Sequence, residues 1–351
     1  MKNKILIYGS YGYTGNLISE IAAQKRLPVI LSGRNQEKLV KQGERLKLPV
    51  KKASVESTGE LDEVLSDAQV VIHCAGPFIH TWKPMAEACL RNQCHYLDIT
   101  GEVAVFESIK VMNKRFLEQN LMAMPGVGFD VVPTDCMAAY LYQSMPDATH
   151  LELGFMGIGG GISHGTAKTM VENLGRGGLI RENGDLKRVP SAYKAKSINF
   201  GRKSIDAVTI PWGDLSTAYT TTGIPNISVY MAATKGMIRG MKLSNFLAPV
   251  LKLNSVKNWL KKRIEAKPTG PDKDQRKNGK SMIWGRVENS IGAAKEAVFE
   301  TKEGYQLTAE MSLLIAEKVM TGECRPGYQT PADLFGDDLI FEIEKTEWIL
   351  P

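Results

Sequence analysis

The stretch ILIYGSYGYTGNLISEIA, residues 5–22, decides how the rest of the chain is read. Its apolar run Ile5–Tyr8 suits a buried strand. Gly9, Gly12 and Gly15 follow at three-residue steps, and a helical pattern then takes over. A strand that ends in such glycines and runs into a helix is suited to hold a pyrophosphate. The backbone can turn tightly and come close, and unpaired N–H groups at the helix start face the anion. Gly9, Ser10, Tyr11, Gly12, Tyr13, Thr14 and Gly15 are therefore the first expected cofactor contacts. A bare structural turn is the alternative, and the strand–turn–helix context weighs against it.

The next strand says which nucleotide. PVILSGRN reaches Arg34 25 residues after Gly9, near where an NAD-binding chain places an acid on the ribose hydroxyls. Here the residues are Ser32, Gly33, Arg34 and Asn35, followed by Lys38. Arg34 can stack on adenine and pair with a 2′-phosphate, and the missing carboxylate removes a repulsion. A solvated arginine opening a helix is the competing reading, and NADP is the expectation. VVIHCAGPF adds a third contact: Cys74, Ala75, Gly76 and Pro77 fall at the carboxyl end of a strand, where open sheets bind ligands. Cys74 reads there as a small buried residue rather than a nucleophile.

Beyond these turns, the first 130 residues alternate strand and helix patterns. Apolar runs at Lys4–Tyr8, Pro28–Ser32, Ala68–Cys74, His95–Ile99 and Leu121–Val127, with a weaker one near Val50, are separated by helical segments around 14–26, 36–47, 60–66, 83–93, 103–119 and 135–144. Continuous apolar strands between helices imply a parallel sheet covered on both faces, for which the doubly wound Rossmann fold is the simplest solution. After Pro146 the strands lengthen and mostly follow one another, which predicts a second domain on a mixed or antiparallel sheet. The fold class is thus α/β, a doubly wound Rossmann domain with a second, sheet-based domain. Thr308–Met320 reads as a strong closing helix, and the tail offers one more short one.

Composition bounds the function. The chain has 351 residues, 43% hydrophobic and 23% charged, which suits two ordinary globular domains. No apolar run approaches the roughly 20 residues of a membrane-spanning helix, and no cleavable signal pattern precedes the first strand. The five cysteines include no CxxC pair, which argues for free thiols in a reducing compartment and against a zinc site; no metal is expected, and the cytoplasm is the expected location. The net charge of +6 is local: between Lys235 and Lys280 thirteen Lys and Arg face three acids. Without aromatic interleaving, this run does not suit nucleic acid.

Taken in order, YGSYGYTG, LSGRNQEKL, VVIHCAGPF, HYLDITGE and GFDVVPTDC resemble the saccharopine dehydrogenase-like oxidoreductases, the family of saccharopine reductase and the trans-acting enoyl reductases. HGTAKTMVENLGRGGLIRENG and KPTGPDKDQRKNG look like that family's second half. The resemblance implies a Rossmann domain that binds NADP, an inserted α/β domain carrying the substrate surface and usually a dimer contact, and a C-terminal segment that returns to the first domain. The expected boundaries are 1–130 with 305–351, and 131–304; the expected assembly is a homodimer. No arginine cluster stands ready for a substrate with several carboxylates, so the likeness is closer to the enoyl-reductase-like members.

Hydride transfer asks the protein for positioning, a proton donor and exclusion of water. Asp98 and Glu102 end one strand, and Asp130 and Asp135 follow the next, so these four carboxyls are the catalytic candidates. A buried carboxyl there could carry a raised pKa and act as acid, or orient a water that does. The structural alternative is that Thr100 and Asp135 cap helices while Asp98 satisfies loop amides. Cys136 at a helix start would suit a thioester-forming semialdehyde dehydrogenase, but the histidine context is missing. None of the eleven tyrosines has Lys four places on, which excludes the short-chain dehydrogenase pattern. His164, in the glycine-rich GFMGIGGGISHGT, reads as a proton donor or a solvated helix-start residue.

In the basic segment, Leu243, Phe246, Leu247, Val250 and Leu251 share one helical face. Val256, Trp259, Leu260 and Ile264 make a second stripe beside Lys261, Lys262 and Arg263. Residues 243–264 could cap an acyl pocket, lie on an anionic membrane surface, or form a domain-edge helix with solvated lysines. The expected function is NADP-dependent reduction of a C=C or C=O bond in an apolar or acyl-type small molecule. The alternatives are a non-catalytic NADP-binding sensor or scaffold, and a saccharopine-type amino-acid imine reductase.

Overall fold

A computed structural model describes residues 2–351 except Arg202 and Lys267. The chain divides into two units, Met1–Asp130 with Tyr305–Leu334, and Val131–Gly304 with Phe335–Pro351.

In the first unit, strands β1 (Lys4–Tyr8), β2 (Val29–Gly33), β3 (Val50–Lys52), β4 (Ala68–His73), β5 (His95–Asp98) and β6 (Met122–Met124) are all parallel, in the order β3-β2-β1-β4-β5-β6. The two-residue strand Gly327–Tyr328 extends the sheet beyond β6. Helices α1 (Tyr13–Gln24), α2 (Gln36–Leu46), α3 (Thr58–Leu65), α4 (Phe78–Arg91), α5 (Val103–Val111) and α6 (Asn113–Glu118) alternate with the strands. Ile5, Leu6, Ile7, Ile30, Leu31, Val70, Val71 and Ile72 are buried, as an apolar run must be when helices cover both faces. Each such side chain contributes about 1.5–3 kcal/mol on burial.

Strand order reverses between β1 and β4, the switch point at which open α/β sheets bind ligands. Register sharpens the position. Tyr8 lies opposite Ser32 on one side and His73 on the other, and His73 lies opposite Asp98. The loops that follow β1, β2, β4 and β5 therefore leave the sheet at one level.

Two of the boundaries that differ from the sequence expectation do so for local reasons. Helix α4 starts at Phe78 and not near residue 83, with Pro84 in its interior; the Glu102 carboxylate accepts from the amides of Phe78 and Ile79 and supplies the early start. Strand β6 stops at Met124 because Gly126 turns the chain at φ +76°.

The second unit is built on a mixed sheet. Strands β7 (Ala148–Ile158), β8 (Gly178–Glu182), β9 (Asp185–Val189), β10 (Ala195–Asn199), β11 (Ser204–Thr209), β12 (Asn226–Ala232), β13 (Lys280–Asn289) and β14 (Ala294–Lys302) form it. Its path runs β10-β11-β12-β7-β13-β14 and ends on the strand Glu347–Leu350. Only β12 and β7 are parallel along this path; the other pairs are antiparallel. The tail after Leu334, expected with the first domain, instead belongs to the second unit through that last strand. Among the helices are α7 (Val132–Ser144), α8 (His164–Asn173), α9 (Asp214–Thr222), α10 (Lys235–Phe246), α11 (Ala248–Leu251) and α12 (Asn254–Glu265). The hairpin β8–β9 and helix α9 have no counterpart in the sequence expectation. The α9 sequence DLSTAYTTT is rich in poor helix formers, and it is packing that holds it helical. Among the described residues, no helix is long and apolar enough to cross a membrane.

Candidate functional site

The turn after β1 is shaped by contacts that only glycine allows. Gly9 sits at φ +80°, and a Cβ on Gly15 would stand 2.3 Å from the Gly9 carbonyl oxygen. The helix can therefore start directly over the turn. Gly9 also meets Ala75 at 3.0 Å from its would-be Cβ, which brings the β1–α1 and β4–α4 loops together. The Gly9 and Ser10 amides donate to the Ser32 carbonyl at 2.8 and 3.1 Å, and the Gly12 amide to the Gly9 carbonyl at 3.0 Å. Helix α1 has no side-chain cap and no acid in its first turn. Among the described residues, the Thr14 and Gly15 amides make no hydrogen bond, so the positive end of the helix dipole is open to an anion.

Ser10 takes a different part. Its hydroxyl donates to Gln42 Oε1 at 2.8 Å, Gln42 Nε2 returns a bond to the Ser10 carbonyl, and both residues are buried. Its side chain braces the turn and is not available to a ligand. The partner Gln42 belongs to no motif of the sequence; its one signal is that of a polar residue on the same helix face as Leu39 and Gly43.

At the end of β2, the Tyr11 ring crosses Gly33, where a Cβ would lie 2.7 Å from Cε1. Its hydroxyl accepts from the Asn35 amide at 3.1 Å. Asn35 caps α2 by accepting from the Lys38 amide at 2.9 Å, and Lys38 Nζ stands 5.8 Å from the Tyr11 ring centroid. Arg34 and Lys38 are exposed, and neither has an acidic partner among the described residues. The acid of that first turn, Glu37, is paired with Lys41 at 2.7 Å. Ser32 Oγ is buried without a hydrogen-bond partner among the described residues. Open amides, a glycine cradle and two unspent cations fit a dinucleotide with an extra phosphate on its adenosine ribose.

The loop after β4 is held by its neighbours. Thr81 Oγ1 donates to the Ala75 carbonyl at 2.7 Å and stands 3.0 Å from His73 Nε2. Gly76–Pro77 is a cis peptide. Burial pushes the Cys74 thiol well up, so it is not a thiolate. Burial also holds His73 neutral, with a pKa of about 3.

Three of the four candidate carboxyls are already engaged. Asp98, fully buried, accepts from Tyr96 Oη at 2.6 Å, the Thr100 amide at 3.0 Å and the Gly126 amide at 2.9 Å. It ties the end of β5 to the loop after β6; burial raises its pKa to about 6 against the pull of those bonds. Glu102 caps α4 through Phe78 at 2.8 Å and Ile79 at 3.1 Å, and its own amide donates to Thr100 Oγ1. Asp135 belongs to α7 in the second unit, where Thr221 Oγ1 donates to it at 2.7 Å. Asp130 is different. It is half-buried, its Oδ2 would lie 2.8 Å from a Cβ on Gly101, and it makes no hydrogen bond among the described residues. Burial raises its pKa to about 7. In the second unit Cys136 is buried and its thiol pushed well up, which removes the thiolate reading. His164 opens α8 behind a Ser163 cap, its amide bonded to the Thr269 carbonyl at 3.0 Å.

These features define a dinucleotide-binding protein of the Rossmann class. Residues 5–125 match the family model of the saccharopine dehydrogenase NADP binding domain. The cofactor is accordingly NADP. A saccharopine dehydrogenase-like oxidoreductase of Rattus norvegicus is 26% identical over 215 residues, 53% of this chain and 50% of that protein. A trans-acting enoyl reductase of Mycobacterium ulcerans is 27% identical over 148 residues, 40% of this chain and 35% of the relative. The chain spans about half the length, or less, of these curated relatives. Among solved structures, apo saccharopine dehydrogenase (L-Glu forming) of Saccharomyces cerevisiae superposes with a TM-score of 0.66 at 12% identity, covering 97% of this chain and 96% of the other. At that identity the likeness establishes the fold.

Proposed function

We propose that the protein is an NADP-dependent oxidoreductase that reduces a C=C or C=O bond in an apolar or acyl-type small molecule, with Asp130 as its proton donor. The observation that carries the reading is the pair of unspent cations, Arg34 and Lys38, at the end of β2, with no acid where an NAD site would place one. Tyr11 orients this end through Asn35, and the α1 amides take the pyrophosphate. The bound coenzyme supplies the hydride. Ala75 to Pro77, fixed by Thr81 and Glu102, form the wall on the nicotinamide side.

Asp130 is the one candidate carboxyl whose proton is not held by the scaffold. A pKa of about 7 leaves it protonated below neutral pH and about half protonated at pH 7, which suits a general acid. The enoyl reductase among the relatives supports an acyl-type substrate, and the family's oxidoreductase names support turnover over a silent sensor. Calorimetric titration tests the foundation. NADPH should bind, NADH more weakly, and Arg34→Glu should weaken NADPH by roughly tenfold to a hundredfold, the worth of one charge-assisted hydrogen bond. Tight NADH binding without NADPH binding would refute the proposal.

A further inference from the structure

Helices α10 and α11 present an apolar face that the fold does not use. Leu243, Phe246, Leu247 and Val250 recur at helical spacing and all are exposed, Phe246 to 83%. Leu253 continues the strip, and Trp259 of α12 is half out. The inward side holds other residues. Ile238 and Met241 pack on Ala192, Val208 and Ala233. Asn245 donates to the Ser191 carbonyl at 3.1 Å and accepts from its amide at 2.8 Å. At its C-terminal end α10 is thus tethered by a polar side chain while larger apolar ones face outward, the reverse of an ordinary surface helix. The arrangement is anchored. Lys257 Nζ donates to the Glu172 carbonyl at 2.7 Å, Lys261 pairs with the Glu172 carboxylate, and Lys168 pairs with Glu265 at 2.8 Å, fastening α12 to α8.

Charge names the occupant. Residues 235–264 contain eight Lys and Arg and no acid. Glu172 engages Lys257 and Lys261, and the Arg263 guanidinium stacks 4.2 Å from the Trp259 ring centroid. Lys235, Arg239, Lys242 and Lys252 have no acidic partner among the described residues, and Lys262 faces only Glu265, which is already paired with Lys168. A second copy docked on this face would set like charges against like. An anionic lipid surface would take the apolar side chains between its headgroups and neutralise the cations around them. We infer that Leu243, Phe246, Leu247, Val250 and Leu253, with Lys242 and Lys252, dock the protein peripherally on an anionic bilayer.

Flotation of the full chain with vesicles tests this. On phosphatidylcholine mixed with phosphatidylglycerol the protein should float, and on phosphatidylcholine alone its partition should fall about tenfold or more. Phe246→Ser with Leu247→Ser should reduce partition on the mixed vesicles about tenfold or more. Lys242→Glu with Lys252→Glu should do the same on the mixed vesicles only. NADPH affinity and circular dichroism should not change in either pair, which separates this result from the fate of the cofactor reading. The inference is overturned if the protein stays unbound at both compositions, or if the serine pair floats as well as the parent. It is equally overturned if light scattering shows a dimer that the serine pair dissolves while neither form binds vesicles.

Discussion

Two regions of this molecule display side chains that the fold leaves unspent, and they differ in kind. On the loop rim of the parallel sheet, the spare groups are single ionisable side chains set in satisfied scaffolding: Arg34 and Lys38 beside Asn35 and Tyr11, and Asp130 against Gly101. On α10 to α12 the spare groups are apolar side chains among cations, with little polar structure between them. Isolated cations on rigid supports, Arg34 and Lys38, can orient a small anionic ligand. A strip of large apolar residues has no such geometry and matches an extended surface. Within the first unit Asp98 and Asp130 differ as well: burial raises the pKa of both carboxyls, and only Asp98 is consumed by hydrogen bonds among the described residues.

The largest effect should come at Asp130. Asp130→Asn should lower reductase turnover by roughly a hundredfold to ten-thousandfold, the usual contribution of a general acid, while NADPH affinity stays within a few-fold. The sign of the pH effects follows from a folded-state pKa of about 7 that lies above the unfolded value of 3.8. The folded protein holds the proton more tightly, so the stability attached to this group is fully present below about pH 4 and is lost as pH rises to about 7. Turnover should likewise fall above about pH 7. Denaturant titration across this range should show the parent losing stability and Asp130→Asn flattening the decline.

A second effect, somewhat smaller, lies in the glycine cradle. Gly15→Val would drive a side chain into the Gly9 carbonyl, and it should cost about 1–3 kcal/mol in thermal unfolding and weaken NADPH about a hundredfold. If NADPH binding survives, the α1 turn is not the pyrophosphate site. Third, Arg34→Glu with Lys38→Glu should weaken NADPH further than Arg34→Glu alone, with NADH changed only a few-fold and stability unchanged, because neither cation has an acidic partner among the described residues. Fourth, Asp98→Asn should cost about 1–3 kcal/mol of stability, since it weakens a buried acceptor of three bonds. Its effect on chemistry should be small beside that of Asp130→Asn; the opposite ranking would exchange their roles. The smallest effect should come from Lys262→Glu on α12, with stability within about 0.5 kcal/mol and NADPH affinity unchanged.

Much of the first unit is legible in the sequence because its signals are short-range. The strands at Lys4–Tyr8, Val29–Gly33 and Ala68–His73 are continuous apolar runs, and their helices carry local caps such as Asn35 and Ser57. The second unit is harder to read. Its hairpin β8–β9 mixes charge with few apolar residues, and α9 is helical against its propensity, so neither leaves a periodic trace. The tail strand Glu347–Leu350 is four residues long and is defined by its partner β14.

Residue order alone is enough for the parallel α/β architecture of the first unit, the glycine turn and the nucleotide preference. These depend on residue type within one strand, one turn and one helix start, where steric and charge rules act locally. Tertiary packing settles which polar groups are consumed: Ser10 by Gln42, Glu102 by the start of α4, Asp98 by three donors, and Asp130 by none among the described residues. It also turns Phe246 outward while Asn245 holds the helix in place. Hydrogen-bond satisfaction and burial depend on partners tens of residues away, and no local pattern encodes them.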